Sequence, residues 1–323
     1  MRRREFIGLM TGAAPWPFSA LAQQRPRYPT IAFISTPSND VEIQRRIKAF
    51  ESAWPELGWV EGRNIHADYR WAEPSQMRAV VAELVTSAPD VIIANGTSVL
   101  NAVRQATNSI PVVFTGISDP EGLGIVSNLA RPGGNMTGLA NFEPSMGGKW
   151  LQTLKEIAPQ LTRVGVLRVA ETQVRILQNI EDNAASSGIE AVDCPVRDGP
   201  GIRAAIGAFD GQLATGLIEL PDPVFATYRA LIFELAANQH HPAIYPFRNL
   251  AEDGGLLSYG IDIYDQIRRS AFYVDRILKG TRPGDLPIQA PTKFELVINL
   301  KTAKALGLDV PPTLLARADA LVE

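Results

Sequence analysis

Short apolar runs alternate with amphipathic stretches along this chain, twice over, and that alternation limits its fold more than any other feature. In the first half, Thr30–Ser35 (TIAFIS), Ile65–Tyr69, Val91–Ala94 and Ile110–Phe114 read as strands. Between them, apolar residues recur at helical spacing. Val41, Ile47, Phe50 and Trp54 mark one helix, Gln76–Ser87 a second, and Val99, Leu100, Val103 and Ala106 a third. The second half repeats the scheme, with strands expected at Val164–Leu167, Ile189–Pro195, Gly216–Leu220, Ala243–Tyr245 and Leu256–Tyr259. Helices are expected there at Thr172–Ser187, Gly201–Phe209 and Val224–Asn238. Parallel strands need a crossover connection, and a helix in the crossover covers the sheet face, so this order implies helix-covered parallel sheets. The expected fold class is α/β, with two Rossmann-like lobes, each a parallel sheet flanked by helices. No residue-level internal repeat accompanies the two halves.

At 323 residues the chain is long enough for two domains with large cores. A formal charge of −3, with no Lys/Arg block beyond the N-terminus, gives nucleic acid no electrostatic footprint to meet. One cysteine, Cys194, leaves no internal disulfide and no cysteine-cluster metal site. The N-terminus carries Arg2-Arg3-Arg4-Glu5-Phe6-Ile7, a twin-arginine pattern, then a mild apolar region and Ala20-Leu21-Ala22, an A-x-A cleavage site. Residues 1–22 are therefore expected to be a signal peptide. No cysteine stands at the cleavage point, so the mature protein is expected to be soluble in the periplasm, without membrane insertion.

From Ser118 to Trp150 the chain passes from one α/β unit into the next: SDPEGLGIVSNLARPGGNMTGLANFEPSMGGKW. Asp119 stands just past an apolar strand, where open α/β sheets bind ligands. Arg131-Pro132-Gly133-Gly134-Asn135 is a turn cluster, and Met146, Trp150, Leu151, Leu154 and Ile157 form one face of a new helix. Together with Asp222–Ala236, Gly254–Gly280 and Ala290–Pro311, this stretch resembles the substrate-binding proteins of ABC importers of the tryptophan/tyrosine-transport type. The resemblance implies a type I periplasmic binding protein fold with three crossings between lobes, near Leu139–Phe142, Tyr259–Ile261 and Thr292–Leu296. It implies that the helix after Asp262 returns to the first lobe. Lobe 1 would then comprise 29–140 plus about 262–291, and lobe 2 141–261 plus about 292–323. The partners it implies are a small-molecule ligand and the membrane permease of an ABC importer, and a monomer is expected.

Several residues are candidates for the ligand site, each with a structural role as the alternative. Gly96-Thr97-Ser98 lies between a strand and a helix, where free N–H groups suit a carboxylate, although Thr and Ser there are also ordinary caps. Ser35 ends the first strand. Asp119 and Asp222 follow strands in opposite halves, and either carboxylate would suit the ammonium of a zwitterion. Asp222 alternatively caps the helix from Val224, and Asp119 alternatively serves the turn before Pro120. Phe142, Tyr245, Phe247 and Tyr259 fall at strand ends or crossings, as pocket walls or as core. His66, His240 and His241 show no metal-ligand spacing, Gly122-Leu123-Gly124 lacks the dinucleotide fingerprint, and there is no G-x-S-x-G elbow. No metal and no cofactor are expected. The expected function is a receptor that closes on a small organic ligand, an amino acid first and aromatic ones included, and delivers it to an importer. An exported α/β enzyme using Asp119 or Asp222 as general base, and a receptor feeding a sensor, stay open as alternatives.

Overall fold

The computed structural model describes residues 28–36, 40–170 and 172–323. The expected signal peptide, residues 1–22, lies outside the described residues.

The first run of elements is β1 (Thr30–Ser35), α1 (Asp40–Glu51), α2 (Trp54–Leu57), β2 (His66–Trp71), α3 (Met77–Thr86), β3 (Val91–Asn95), α4 (Thr97–Ala106), β4 (Val112–Ile117) and β5 (Met136–Ala140). The second is α5 (Met146–Ile157), β6 (Arg163–Val169), α6 (Val174–Ser186), β7 (Glu190–Val196), α7 (Gly199–Gly207), β8 (Thr215–Glu219), α8 (Pro223–Asn238), β9 (Ala243–Phe247), α9 (Arg248–Glu252) and β10 (Leu257–Ile261). After it come α10 (Ile263–Leu278), β11 (Glu295–Asn299), α11 (Leu300–Ala305), α12 (Pro312–Arg317) and β12 (Ala320–Val322).

One sheet has the order β2-β1-β3-β4-β5, and the other contains β7-β6-β8-β9-β10, the same winding. Every pair within these two sets of five is parallel. The reason is visible in β1, β3 and β4. Their residues are almost all buried, as strands covered by helices on both faces must be. Cores lie on each side of the first sheet, one built around Ile31, Phe33 and Ile93, the other around Ile34, Ile92 and Phe114.

Helix α10 follows the second set of strands in sequence but packs its Ile263, Ile267, Ala271 and Val274 into the core of the first sheet. Asp262 caps it, accepting from the N–H groups of Tyr264 at 2.9 Å and Asp265 at 3.2 Å. The chain thus crosses between sheets after β5, at Asp262, and again before β11. On the last passage Gln289 still pairs with Leu139 of β5, and Glu295 already pairs with Gly260 of β10. Phe142, Phe247 and Phe294 pack together at these crossings, with ring centroids about 6 Å apart. The Trp150 indole N–H donates to the Tyr259 carbonyl at 2.6 Å and ties α5 to the same place.

The second sheet departs from an all-parallel arrangement. β11 is antiparallel to β10, and β12 adds to it in parallel. The cause is connectivity. Strand β10 ends at the crossing, and the chain re-enters from that same end, so β11 must run the opposite way.

Gly260 permits the close approach of β9 at this point. A Cβ built on it would stand 1.7 Å from the Pro246 carbonyl oxygen. Gly260→Ala should therefore lower stability by about 3 kcal/mol, since the clash is with backbone. Urea unfolding measures this, and an unchanged midpoint would contradict the strand packing described here.

Candidate ligand site between the lobes

The carboxyl ends of the parallel strands in both sheets turn toward a shared space. The Pro223 ring, from the start of α8, lies against Gly96, at the start of α4, so closely that a Cβ on Gly96 would meet it at 2.9 Å. Gly96 has φ 101°, which already favours glycine. Two ion pairs also span the lobes: Arg175 with Asp119 at 3.0 Å, and Arg45 with Asp253 at 3.3 Å. The lobes are closed on one another. Between them remains a cavity of about 30 Å³, so a ligand of amino-acid size requires the lobes to stand further apart than here.

From the first lobe the cavity is lined by Glu42, Arg46, Asn95, Gly116 and Ile263, and Asn141 joins them from the crossing after β5. Glu42, Arg46 and Asn95 are held by a polar network. Arg46 Nε donates to Glu42 at 2.9 Å, and Arg46 Nη1 donates to Asn95 Oδ1 at 3.3 Å and to the Ser35 hydroxyl at 3.4 Å. Asn95 Nδ2 donates to Thr115 at 2.8 Å, and the Tyr264 hydroxyl donates to Glu42 at 2.9 Å. The second lobe contributes Glu219, Asp222, Phe247 and Asn249, with Pro221, Pro223, Ala226 and Leu250 as apolar wall.

Glu219 and Asp222 are 3% and 6% exposed. Burial, and then the neighbouring Asp222 charge, push the Glu219 carboxyl up to about 8. Burial raises Asp222 to about 6, opposed by the Val224 N–H that donates to it at 3.0 Å and by the Arg46 charge. Three buried acceptor oxygens of the lining have no hydrogen-bond partner: Glu219 Oε2, Asn141 Oδ1 and Asn249 Oδ1. Buried polar atoms are nearly always bonded, so three orphans in one cavity point to a donor that comes from outside the protein. A larger hollow of about 250 Å³ lies behind the crossings, lined by Asp262, Asp265, Arg269 and Lys293 among others. There Arg269 bonds Gln289 and Lys293 bonds Glu295, and none of its lining side chains carries an orphaned atom. The orphaned acceptors gather in the inter-lobe cavity.

The profile of a family described as ABC transporter substrate binding protein matches residues 30–322. The chain belongs to that family. A tyrosine-binding protein of Clostridioides difficile (strain R20291) is 25% identical over 271 residues, covering 82% of this chain and 77% of that protein. A conserved domain protein of Vibrio cholerae O1 biovar El Tor superposes with a TM-score of 0.84 at 27% identity, over 91% of this chain and all of that one. A Streptococcus pneumoniae domain crystallised with L-Trp superposes with a TM-score of 0.82 at 21% identity, again over 91% of this chain and all of that one, which shows the shared fold. Among the described residues of this substrate-binding protein, no helix is long and apolar enough to cross a membrane.

The residues singled out from sequence fall in different places. Asp222 caps α8 and also lines the cavity. Ser35 lies one bond behind the lining, against Asn95 and Arg46. Thr97 and Ser98 open α4 as expected, but neither lines the cavity, and Pro223 packs beside their turn. Asp119 is held by the Gly122 N–H and by Arg175, beside a separate cleft at the rim. Phe142 backs Phe247 from the crossing cluster. Tyr245 is core, edge-on to Phe233 at 5.2 Å. Tyr259 faces an outer groove with Lys149 and Phe294.

Sequence reading missed Glu42, Arg46, Asn95, Asn141, Glu219 and Asn249 as lining residues, whereas Phe247, singled out as a strand-end aromatic, does line the cavity. For Glu219 a signal existed: an acidic residue inside the apolar strand TGLIE, three positions before Asp222. Arg46 and Glu42 sit on what reads as an ordinary charged helix face.

A pH dependence of stability follows. A carboxyl raised in the folded state makes the folded form bind more protons than the unfolded form, so stability falls as pH rises through the window between the two values. For Glu219 that window runs from about 4.5 to about 8. Without ligand, the melting temperature should fall over this range, and Glu219→Gln should flatten the fall. Equal slopes for the two proteins would show that Glu219 does not carry the raised value.

Proposed function

We propose that this substrate-binding protein captures an amino acid between its lobes and presents it to the permease of an ABC importer. The observation that carries the reading is the cluster of orphaned acceptors beside two buried carboxylates. Such a site suits an ammonium, which donates three hydrogen bonds and neutralises charge in one group. Arg46, with Nη1 and Nε engaged in the first-lobe network, lines the cavity as the cationic partner for the ligand carboxylate. The tyrosine-binding relative and the L-Trp complex support an amino acid as the class.

The site then comprises Glu219, Asp222, Asn141 and Asn249 around the amine and Arg46 toward the carboxylate. Phe247, Leu250, Ala226 and Ile263 face the side chain. Ser35 and Phe142 hold these residues in place, and Thr97 and Ser98 shape the turn against Pro223. Asp119 acts with Arg175 at the rim. Lobe 1 is read as 29–140 plus about 262–291, and lobe 2 as 141–261 plus about 292–323. The protein works as a monomeric receptor in the periplasm, without catalysis. The twin-arginine pattern and A-x-A site support that location.

Closure is a hinge motion about the crossings, and the ligand drives it only by binding the closed form better than the open one. A ligand that touches Arg46 in one lobe and Glu219 and Asp222 in the other does this, because the second set of contacts exists only when the lobes meet.

Asp222→Asn tests the amine site without removing the cap, since asparagine caps helices as well as aspartate does. Calorimetry should show amino-acid affinity weakened by about 2 kcal/mol or more, with the ligand-free melting temperature little changed. Unaltered affinity would rule out an ammonium at Asp222. Asp119→Ala gives the contrast. Its partner Arg175 is 61% exposed, and such pairs contribute at most about 1 kcal/mol, so affinity should fall by no more than about fivefold. A larger loss would return Asp119 to the ligand site.

A further inference from the structure

Four charged side chains face the inter-lobe cavity: Glu42 and Arg46 from α1, Glu219 from the end of β8, and Asp222 at the start of α8. Among the described residues of the lining, Arg46 is the one cation, and it is bonded to Glu42 at 2.9 Å with both side chains buried. The charges that remain are both negative. Asp222 has compensation from the Val224 N–H and from the Arg46 charge. Glu219 has none of this kind. Its Oε2 lacks a hydrogen-bond partner, and the charge acting on it is that of Asp222, of the same sign.

A neutral α-amino acid brings one charge of each sign into this cavity. Its ammonium meets a carboxylate and its carboxylate adds one more, so the acidic excess is left as it was. A second cationic nitrogen cancels it. Buried charge without a partner is costly, so the closed receptor should favour the ligand that supplies the missing charge. The rest of the lining fits such a ligand. The Oδ1 atoms of Asn141 and Asn249 offer two further acceptors for N–H groups. Ala226, Phe247, Leu250 and Ile263 supply apolar contact for methylenes between the nitrogens.

We infer that Glu219 is a specificity-determining residue that makes this receptor prefer a ligand of net positive charge, a diamino acid, over neutral amino acids. The inference rests on the reading of the cavity as an amine site given above. In the ligand-free protein the same excess is relieved by a proton on Glu219, which burial and Asp222 hold up to about 8. A cationic nitrogen beside Glu219 expels that proton. The ionisable groups around it are Glu42 and Arg46 of α1, Asp222 of α8 and Tyr245 of β9, whose phenol is raised well above its ordinary range by burial and by Glu219 itself.

The test is isothermal titration of the full-length mature protein at pH 7 with L-lysine and L-ornithine against L-tryptophan and L-tyrosine, in two buffers of different ionisation enthalpy. The diamino acids should bind at least about tenfold tighter and release a proton on binding. Glu219→Gln should narrow that preference by about tenfold and abolish the proton release. If the neutral amino acids bind as well or better, and Glu219→Gln leaves the ranking unchanged, the inference is overturned while the amino-acid reading stands. If no amino acid binds and simple carboxylates or sugars do, the amino-acid reading falls with it. Should Glu219→Gln fail to fold, the wild-type ranking and proton count decide alone.

Discussion

Two carboxylates at the end of one strand, buried without a matching cation, are the constraint around which this molecule makes sense. Glu219 and Asp222 stand where β8 gives way to α8, and both are buried between the lobes. Burying them together is unfavourable, and their raised values register that cost. A free energy stored in this way is released by a ligand that supplies positive charge. On the proposed reading such a ligand gains at these two residues when the lobes close around it, and that gain is what a receptor needs in order to close selectively.

The remainder of the fold keeps the two carboxylates opposite a fixed partner surface. On the first lobe, Arg46 is locked by Glu42, Ser35 and Asn95, which Thr115 and Tyr264 hold in turn. This network ties together α1, β1, β3, β4 and α10. On the crossing side, Phe142, Phe247 and Phe294 pack where three chain passages meet, and Phe247 belongs both to that cluster and to the cavity wall. The wall of the cavity is therefore continuous with the packing at the crossings. The rim pairs, Arg175 with Asp119 and Arg45 with Asp253, are more exposed and contribute little to holding the lobes together.

Much of the architecture was legible in the residues because buried parallel strands and amphipathic helices leave periodic marks. Val91–Asn95 and Thr30–Ser35 could be read almost to the residue. The return of α10 to the first lobe left no such mark, since its apolar face suits either core, and it entered only through family resemblance. The antiparallel β11 was not read either, because its direction is set by where the chain re-enters the sheet. In the cavity lining, Asp222 was legible from its place after a strand. Tyr245 and Tyr259 were misplaced because alternation along a strand tells which residues share a face, not which face meets the other lobe. Glu42 and Arg46 were overlooked for a related reason: charges on α1 look solvated until the second lobe covers them.

The central claim is that a cationic nitrogen of the ligand sits between Glu219 and Asp222 in the closed receptor. A crystal structure of the protein with its captured ligand tests it most directly. The account predicts ligand density between the lobes, with a nitrogen within about 3.2 Å of a Glu219 or Asp222 oxygen. A ligand bound in that cavity with an anionic or purely apolar group against both carboxylates, or bound elsewhere, would contradict it.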